Sequence, residues 1–368
     1  MGDGPRTVEV LHVTGPGEVD WVAVPTGPLA EGCFRVDTVY SGISTGTELS
    51  FLKGTNPALS RVWDATLGLF EDGPAPSPYP VRKLGYMQVG RVVATRSPHV
   101  TPGDVVAATY GHASGHDLDA VRERFVVLPT SLDPLLGIYV AHMGPICANG
   151  ILHADVDLIG PVVGELGAGV RGRRVLVIGA GVVGLLTALF AQHAGAAEVV
   201  VADATAGRLK LAEALGLGAI DTTALDVGRW AKVRWAHGIG DRGADVVLQC
   251  RGQASSLQLA LRSLRPQGAV VDLAFYPAGA EEVRLGEEFH HNALRIICAQ
   301  IGRVPRGLAG SWDRERLSLA TLDLLAARGS DIREHLVTDI VAAAQAPALY
   351  ADLLARRRES LQAVLSWG

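Results

Sequence analysis

Cysteine is scarce in this chain of 368 residues: four, Cys33, Cys147, Cys250 and Cys298, all widely spaced. With no CxxC pair, the sequence excludes a disulfide scaffold and a four-cysteine zinc knuckle. The opening MGDGPRTVEV has no basic stretch leading into an apolar core, so it does not read as a signal peptide, and a cytoplasmic location is expected. Internal repeats and low-complexity tracts are also missing. Excess positive charge is lacking, with a formal net charge of −5, which disfavours nucleic acid as a partner. The longest apolar run, residues 175–202, is interrupted by Gln192, His193 and Glu198 and broken by glycines, which argues against a membrane span.

What is present is an ordinary globular composition, 48% apolar and 19% charged, with 44 glycines that imply many tight turns or close backbone approaches. The length suits two domains of about 100–200 residues. Charge is uneven: residues 1–165 hold 18 acidic and 10 basic side chains, the remainder 20 and 23. The imbalance reads either as chance surface variation or as a first half that attracts a cationic substrate.

Texture divides the chain as well. Short apolar runs (VEVLHV, WVAV, FRVDTVY) alternate with Gly/Pro turns over residues 7–40, and VGRVVAT, DVVAATY and RFVVLP continue the pattern of short strands. Residues 60–80, rich in Pro and aromatics, read as a long loop, either a functional lid or disordered. From about residue 150, strand and helix patterns alternate (RRVLVIG, GLLTALFAQHAG, AEVVVAD, RLKLAEALG, ADVVLQC, SLQLALRSL, AVVDLAF), as in a doubly wound parallel sheet of the α/β class.

The strongest motif is VLVIGAGVVGLLTAL followed by EVVVAD. Gly179, Gly181 and Gly184 form G-x-G-x-x-G between a strand and a helix, and Asp203 ends the next strand. The first glycine allows the tight turn, the second the approach of a pyrophosphate, the third close helix–sheet packing. Val182 and Val183 open the helix whose N-terminus meets phosphate charge. Asp203 accepts ribose hydroxyls and favours NAD(H), while Arg208 and Lys210 lie close enough to tolerate the extra phosphate of NADP(H).

With GISTGTELSFLKG (42–54), GDVVAATYGH (103–112), GADVVLQCRG (243–252) and LRPQGAVVDLAFY (265–276), the chain resembles the medium-chain dehydrogenase/reductase superfamily over nearly its whole length. Residues 289–316 are similar to a bacterial branch that includes zinc-lacking relatives of bacteriochlorophyllide hydroxyethyl dehydrogenase. The resemblance implies a GroES-like, β-rich catalytic domain at 1–150 and 304–368, and a Rossmann domain at 151–303 through which two copies pair. It places Cys250, Ile301 and Arg303 beside the cofactor. Zinc-dependent members carry G-x-C-G-T-D and G-H-E motifs. Here Thr45 stands in the place of the cysteine, Tyr86–Met87 in that of His–Glu, and only Cys147 is a candidate third ligand. A site without zinc is therefore expected, because catalytic Zn²⁺ takes about three N, S or carboxylate donors.

Without a Lewis acid, carbonyl reduction needs a hydrogen-bond donor at the developing alkoxide. Tyr86 is the first candidate, or else a side chain that fills the empty metal position. Thr47 matches the family hydroxyl that relays a proton, and Glu48 reads as an anchor of its loop. His112, His116 and His142 are candidates for moving protons. The expected activity is zinc-independent, NAD(P)(H)-linked interconversion of an alcohol and a ketone on a polar cyclic metabolite, such as an aminocyclitol of an antibiotic pathway. The alternatives are an enoyl- or quinone-type double-bond reductase and a non-catalytic NAD(P)-binding protein.

Overall fold

Alternation of apolar and polar residues and their punctuation by glycine set the elements of the first unit. A computed structural model of the chain describes residues 3–71, 79–277 and 279–368. The chain forms two compact units, one comprising Met1–His142 with Val337–Gly368, the other Met143–Leu336.

In the first unit, strand Arg6–Gly15 pairs antiparallel with Glu18–Thr26. A seven-stranded mixed sheet runs in the order Val337–Ala342, Gln362–Ser366, Cys33–Gly42, Gln88–Thr95, Val105–Ala108 and Phe125–Val127, with Gly115–Asp119 also paired to Cys33–Gly42. Leu11, Ile43, Leu52, Leu84, Leu349, Tyr350 and Leu365 share one core cluster. Full burial of such side chains is worth about 1.5–3 kcal/mol each. Ile43 and Leu52 bracket helix Thr45–Leu52, so this core seats the helix that carries Thr45, Thr47 and Glu48. Part of the expected loop at 60–80 is ordered instead: Val62–Asp64 pairs with Leu69–Glu71, with Trp63 edge-on to Phe70 and the Asp64 carboxylate capping the turn at Thr66 and Leu67. Residues 72–78 of that loop lie outside the described residues.

The second unit holds a six-stranded parallel sheet in the order Gly218–Asp221, Glu198–Asp203, Arg174–Ile178, Ala244–Gln249, Leu264–Asp272, Arg295–Cys298. The order reverses beside Arg174–Ile178, and ligands of open α/β sheets bind at the carboxyl ends of strands at such a switch point. The expected return of the chain to the first unit at residue 304 falls at 337 instead. Helix Arg314–His335 buries Leu317, Leu324, Leu325 and Ile332 and packs on helix Met143–Ile159, so it belongs with the parallel sheet. No helix among the described residues is long and apolar enough to cross a membrane.

Asp155, fully buried on helix Met143–Ile159, ties down the approach to the first parallel strand. Its carboxylate accepts the N–H groups of Gly167, Gly169 and Val170 at 2.6, 2.8 and 3.2 Å. Burial pushes this carboxyl up to about 6, against the pull of the three donors. Asp155→Ala strands these donors, each worth about 1–3 kcal/mol when buried and unpaired, so a loss of at least ~3 kcal/mol is expected in urea unfolding. A variant as stable as the parent would remove the clip from the account.

Candidate active site

In the second unit, strand Arg174–Ile178 runs directly into the glycine turn. Gly179 has φ +103°, in the left-handed region, and Gly181 caps helix Val182–His193 with open space where a Cβ would stand. No side chain caps this helix, which leaves its first N–H groups to a ligand. A Cβ on Gly184 would lie 1.7 Å from the Gly179 carbonyl oxygen, so only glycine lets helix and turn meet. Val183 gives its carbonyl to the Thr187 hydroxyl (2.6 Å) and the Cys147 thiol (3.5 Å).

Asp203 has a further role that the sequence does not reveal. Almost fully buried, it accepts the Ala180 N–H on one oxygen and the Thr205 N–H on the other, both at 2.8 Å, and so braces the glycine turn. Arg208 lies in the first turn of helix Ala206–Ala214. Cys250 follows strand Ala244–Gln249, and burial pushes its thiol well up. Ile301 is buried; the Arg303 side chain is exposed while its carbonyl accepts from the Asn149 amide at 3.1 Å. At the same carboxyl edge Tyr276 donates to Asp272 (2.7 Å) and accepts from Gln249 (3.1 Å), a trio that no local pattern groups. The open turn, the uncapped helix and the braced acid fit a dinucleotide.

In the first unit, the half-buried Tyr86 donates from its phenol to Ser44 Oγ at 2.5 Å, and His142 stands edge-on to its ring at 4.6 Å. Thr47 lies half-buried on the adjoining helix, its carbonyl accepting from the Ser50 hydroxyl. His112, a candidate for moving protons, is buried. It is wholly enclosed, with Nδ1 on Ser41 Oγ at 2.7 Å and Nε2 on Glu48 Oε2 at 3.0 Å. Its enclosure has a steric cause: Gly85, at φ +89°, lies so close that a Cβ there would come within 2.7 Å of His112 Nε2. His116 stacks on Tyr110 and bonds Glu123 at 3.0 Å. Ser44 was missed as a partner of Tyr86, since the two stand 42 positions apart.

Residues 182–307 match the family described as zinc-binding dehydrogenase. D-Guloside 3-dehydrogenase of Escherichia coli (strain K12) is 27% identical over 83% of this chain and 84% of that protein. Sorbitol dehydrogenase of Mus musculus is 31% identical over 58% and 63% of the respective chains. An alcohol dehydrogenase from Thermus sp. ATN1 superposes with a TM-score of 0.72 at 20% identity, covering 98% of this chain and 100% of that one. The fold is that of the medium-chain dehydrogenases.

The family match lies within the nucleotide-binding unit of this medium-chain fold and does not include Thr45, Tyr86 or Met87. At those positions the donor set does not fit zinc. Met87 is buried with its methyl against Gly42, the Tyr86 phenol is engaged by Ser44, and Thr45 offers a hydroxyl. Cys147 is buried, with its thiol on the Val183 carbonyl at 3.5 Å. Among the described residues, no group of three His, Cys, Asp or Glu side chains is placed to hold a metal ion.

Proposed function

We propose that this chain is an NAD(P)(H)-linked oxidoreductase that interconverts an alcohol and a ketone on a sugar-like substrate, without catalytic zinc. The observation that carries the reading is the Tyr86–Ser44 hydroxyl pair at a position where zinc-dependent relatives place a ligand. The nicotinamide supplies hydride acceptance and donation when bound. This chain's part is to hold the dinucleotide on the Gly179–Gly184 turn and to exchange a proton at the substrate oxygen through the Tyr86 phenol. The names of the guloside and sorbitol dehydrogenases support a polyhydroxylated substrate, and the acidic first half supports one carrying an amine. The exposed edge strand Arg295–Cys298 of the parallel sheet supports pairing of two copies through that unit.

Protein purified without chelator is expected to contain no stoichiometric zinc and to oxidise NADH or NADPH with keto-sugars from a panel of keto-sugars, simple ketones and enones. Turnover confined to enones would replace this reading with double-bond reduction. Zinc at one equivalent, with activity lost on its removal, would overturn the metal-free mechanism.

A further inference from the structure

Ser44 occupies the N-cap of helix Thr45–Leu52, a position where serine ordinarily turns its hydroxyl back onto a helix N–H. Here it makes no such bond. Glu48 stands one residue beyond the capping-box position, yet its Oε1 accepts the Ser44 N–H at 2.7 Å. The serine hydroxyl points instead at Tyr86 and is, with the rest of the residue, buried. A local rule broken at a buried polar residue marks a site where the bond has another use.

Glu48 is itself held from every side. Its second oxygen accepts from the Tyr350 hydroxyl and from His112 Nε2, and the Ser41 hydroxyl meets the far nitrogen of that imidazole. The carboxylate fixes Nε2 as the protonated nitrogen. Glu48, His112 and Tyr350 are all at most 1% exposed, so a charge so deep is stable only with these donors in place. The cage also rests against the backbone of Gly85, which immediately precedes Tyr86.

We propose that Ser44 is the relay partner of Tyr86, and that Glu48, clamped by His112 and Tyr350, is the positioning residue that holds Ser44 on the phenol. The inference rests on the proton-exchange role of Tyr86 given above. In the direction of ketone reduction, the phenol O–H bond breaks and its proton goes to the substrate oxygen. The phenolate left behind accepts a hydrogen bond from the Ser44 O–H, which turns toward it. In alcohol oxidation the same steps run in reverse. The alcohol proton returns to Tyr86; the hydride is the one the nicotinamide would carry, and water takes up or supplies the net proton at the phenol between turnovers. A hydroxyl already within hydrogen-bond distance of the oxygen that becomes charged can stabilise that charge by rotation of its own O–H alone.

The test uses the full chain with NAD⁺ and a methyl D-guloside, alongside NMR of enzyme carrying ring-labelled tyrosine. The Tyr86 resonance is identified by its loss in Tyr86→Phe. Ser44→Ala is expected to lower kcat at least ~10-fold with KM changed less than ~2-fold. It should shift the Tyr86 resonance, and any fall in the thermal midpoint should match that of Tyr86→Phe, because the hydroxyl makes no cap bond and the bond to the phenol is lost in both variants. Ser44→Thr should restore both the rate and the resonance. Glu48→Gln keeps an acceptor for the Ser44 N–H and should lose less activity than Glu48→Ala, measured on folded protein. An unmoved Tyr86 resonance and an undiminished kcat in Ser44→Ala would overturn the relay. If the parent turns over neither the guloside nor any ketone, the proposed activity fails, while the resonance still shows whether Ser44 governs the phenol.

Discussion

Gly184→Ala is expected to raise the dissociation constant for NADH at least ~100-fold. The added methyl carbon would stand 1.7 Å from the Gly179 carbonyl oxygen and 3.6 Å from the Cys250 Cβ. Non-bonded carbon contacts are comfortable at about 3.5–4.0 Å, so the start of helix Val182–His193 must draw away from the turn by more than an ångström. That displacement separates the helix N–H groups from the glycine turn that positions the phosphates. Misplacement by about 1 Å costs on the order of 100-fold where geometry is tight, equivalent to ~2.7 kcal/mol. Fluorescence titration with NADH measures the effect. Gly310→Ala, at a position with open space around it, serves as the control that should bind as the parent does. Equal affinity in the two variants would remove the glycine turn from the binding site.

Replacement of Tyr86 by phenylalanine carries the second large effect. The ring and its edge contact with His142 survive in Tyr86→Phe, and the neighbouring Met87 stays buried. Only the phenolic oxygen is lost, together with the 2.5 Å bond to Ser44. A decrease in kcat of at least ~10-fold with little change in KM is expected, the signature of an interaction worth 1.4 kcal/mol or more in the transition state. Steady-state kinetics with the best substrate of the panel decide the matter. Unchanged turnover would mean that Tyr86 only fills the space where a metal ligand stands in relatives.

Local chemistry explains which parts of this protein were legible before its structure. The parallel sheet could be read because each strand, turn and helix announces itself within about ten residues, and the Gly179–Gly184 fingerprint ties three constraints to one stretch. The strand-rich nature of the first unit was equally plain from alternation. The cage around Glu48 was not, because its members come from residues 41, 48, 112 and 350, and no pattern links a tyrosine to a glutamate 302 positions earlier. The enclosure of His112 was illegible for the same reason, since its partners come from residues 41, 48 and 350. Asp203 was read correctly as the end of a strand, but its bonds to Ala180 and Thr205 depend on how the turn folds back. The boundary at 337 depended on which face helix Arg314–His335 buries. Its apolar residues show that a face is buried, and tertiary packing alone shows against what.

The composition of the first unit from two distant stretches of chain also dictates an order of events during synthesis. The parallel-sheet unit is continuous, so every residue it needs has left the ribosome once Leu336 has emerged. Its partner must wait. Strand Gln362–Ser366 sits between Val337–Ala342 and Cys33–Gly42 in the mixed sheet, and until Tyr350 arrives the Glu48 carboxylate lacks one of the donors that make its burial tolerable. Pairings of such sequence separation are slow to close, and the unfilled edge of Cys33–Gly42 stays open to wrong partners meanwhile. The nucleotide-binding unit is thus expected to mature first on the ribosome, with the proton-handling residues assembling last.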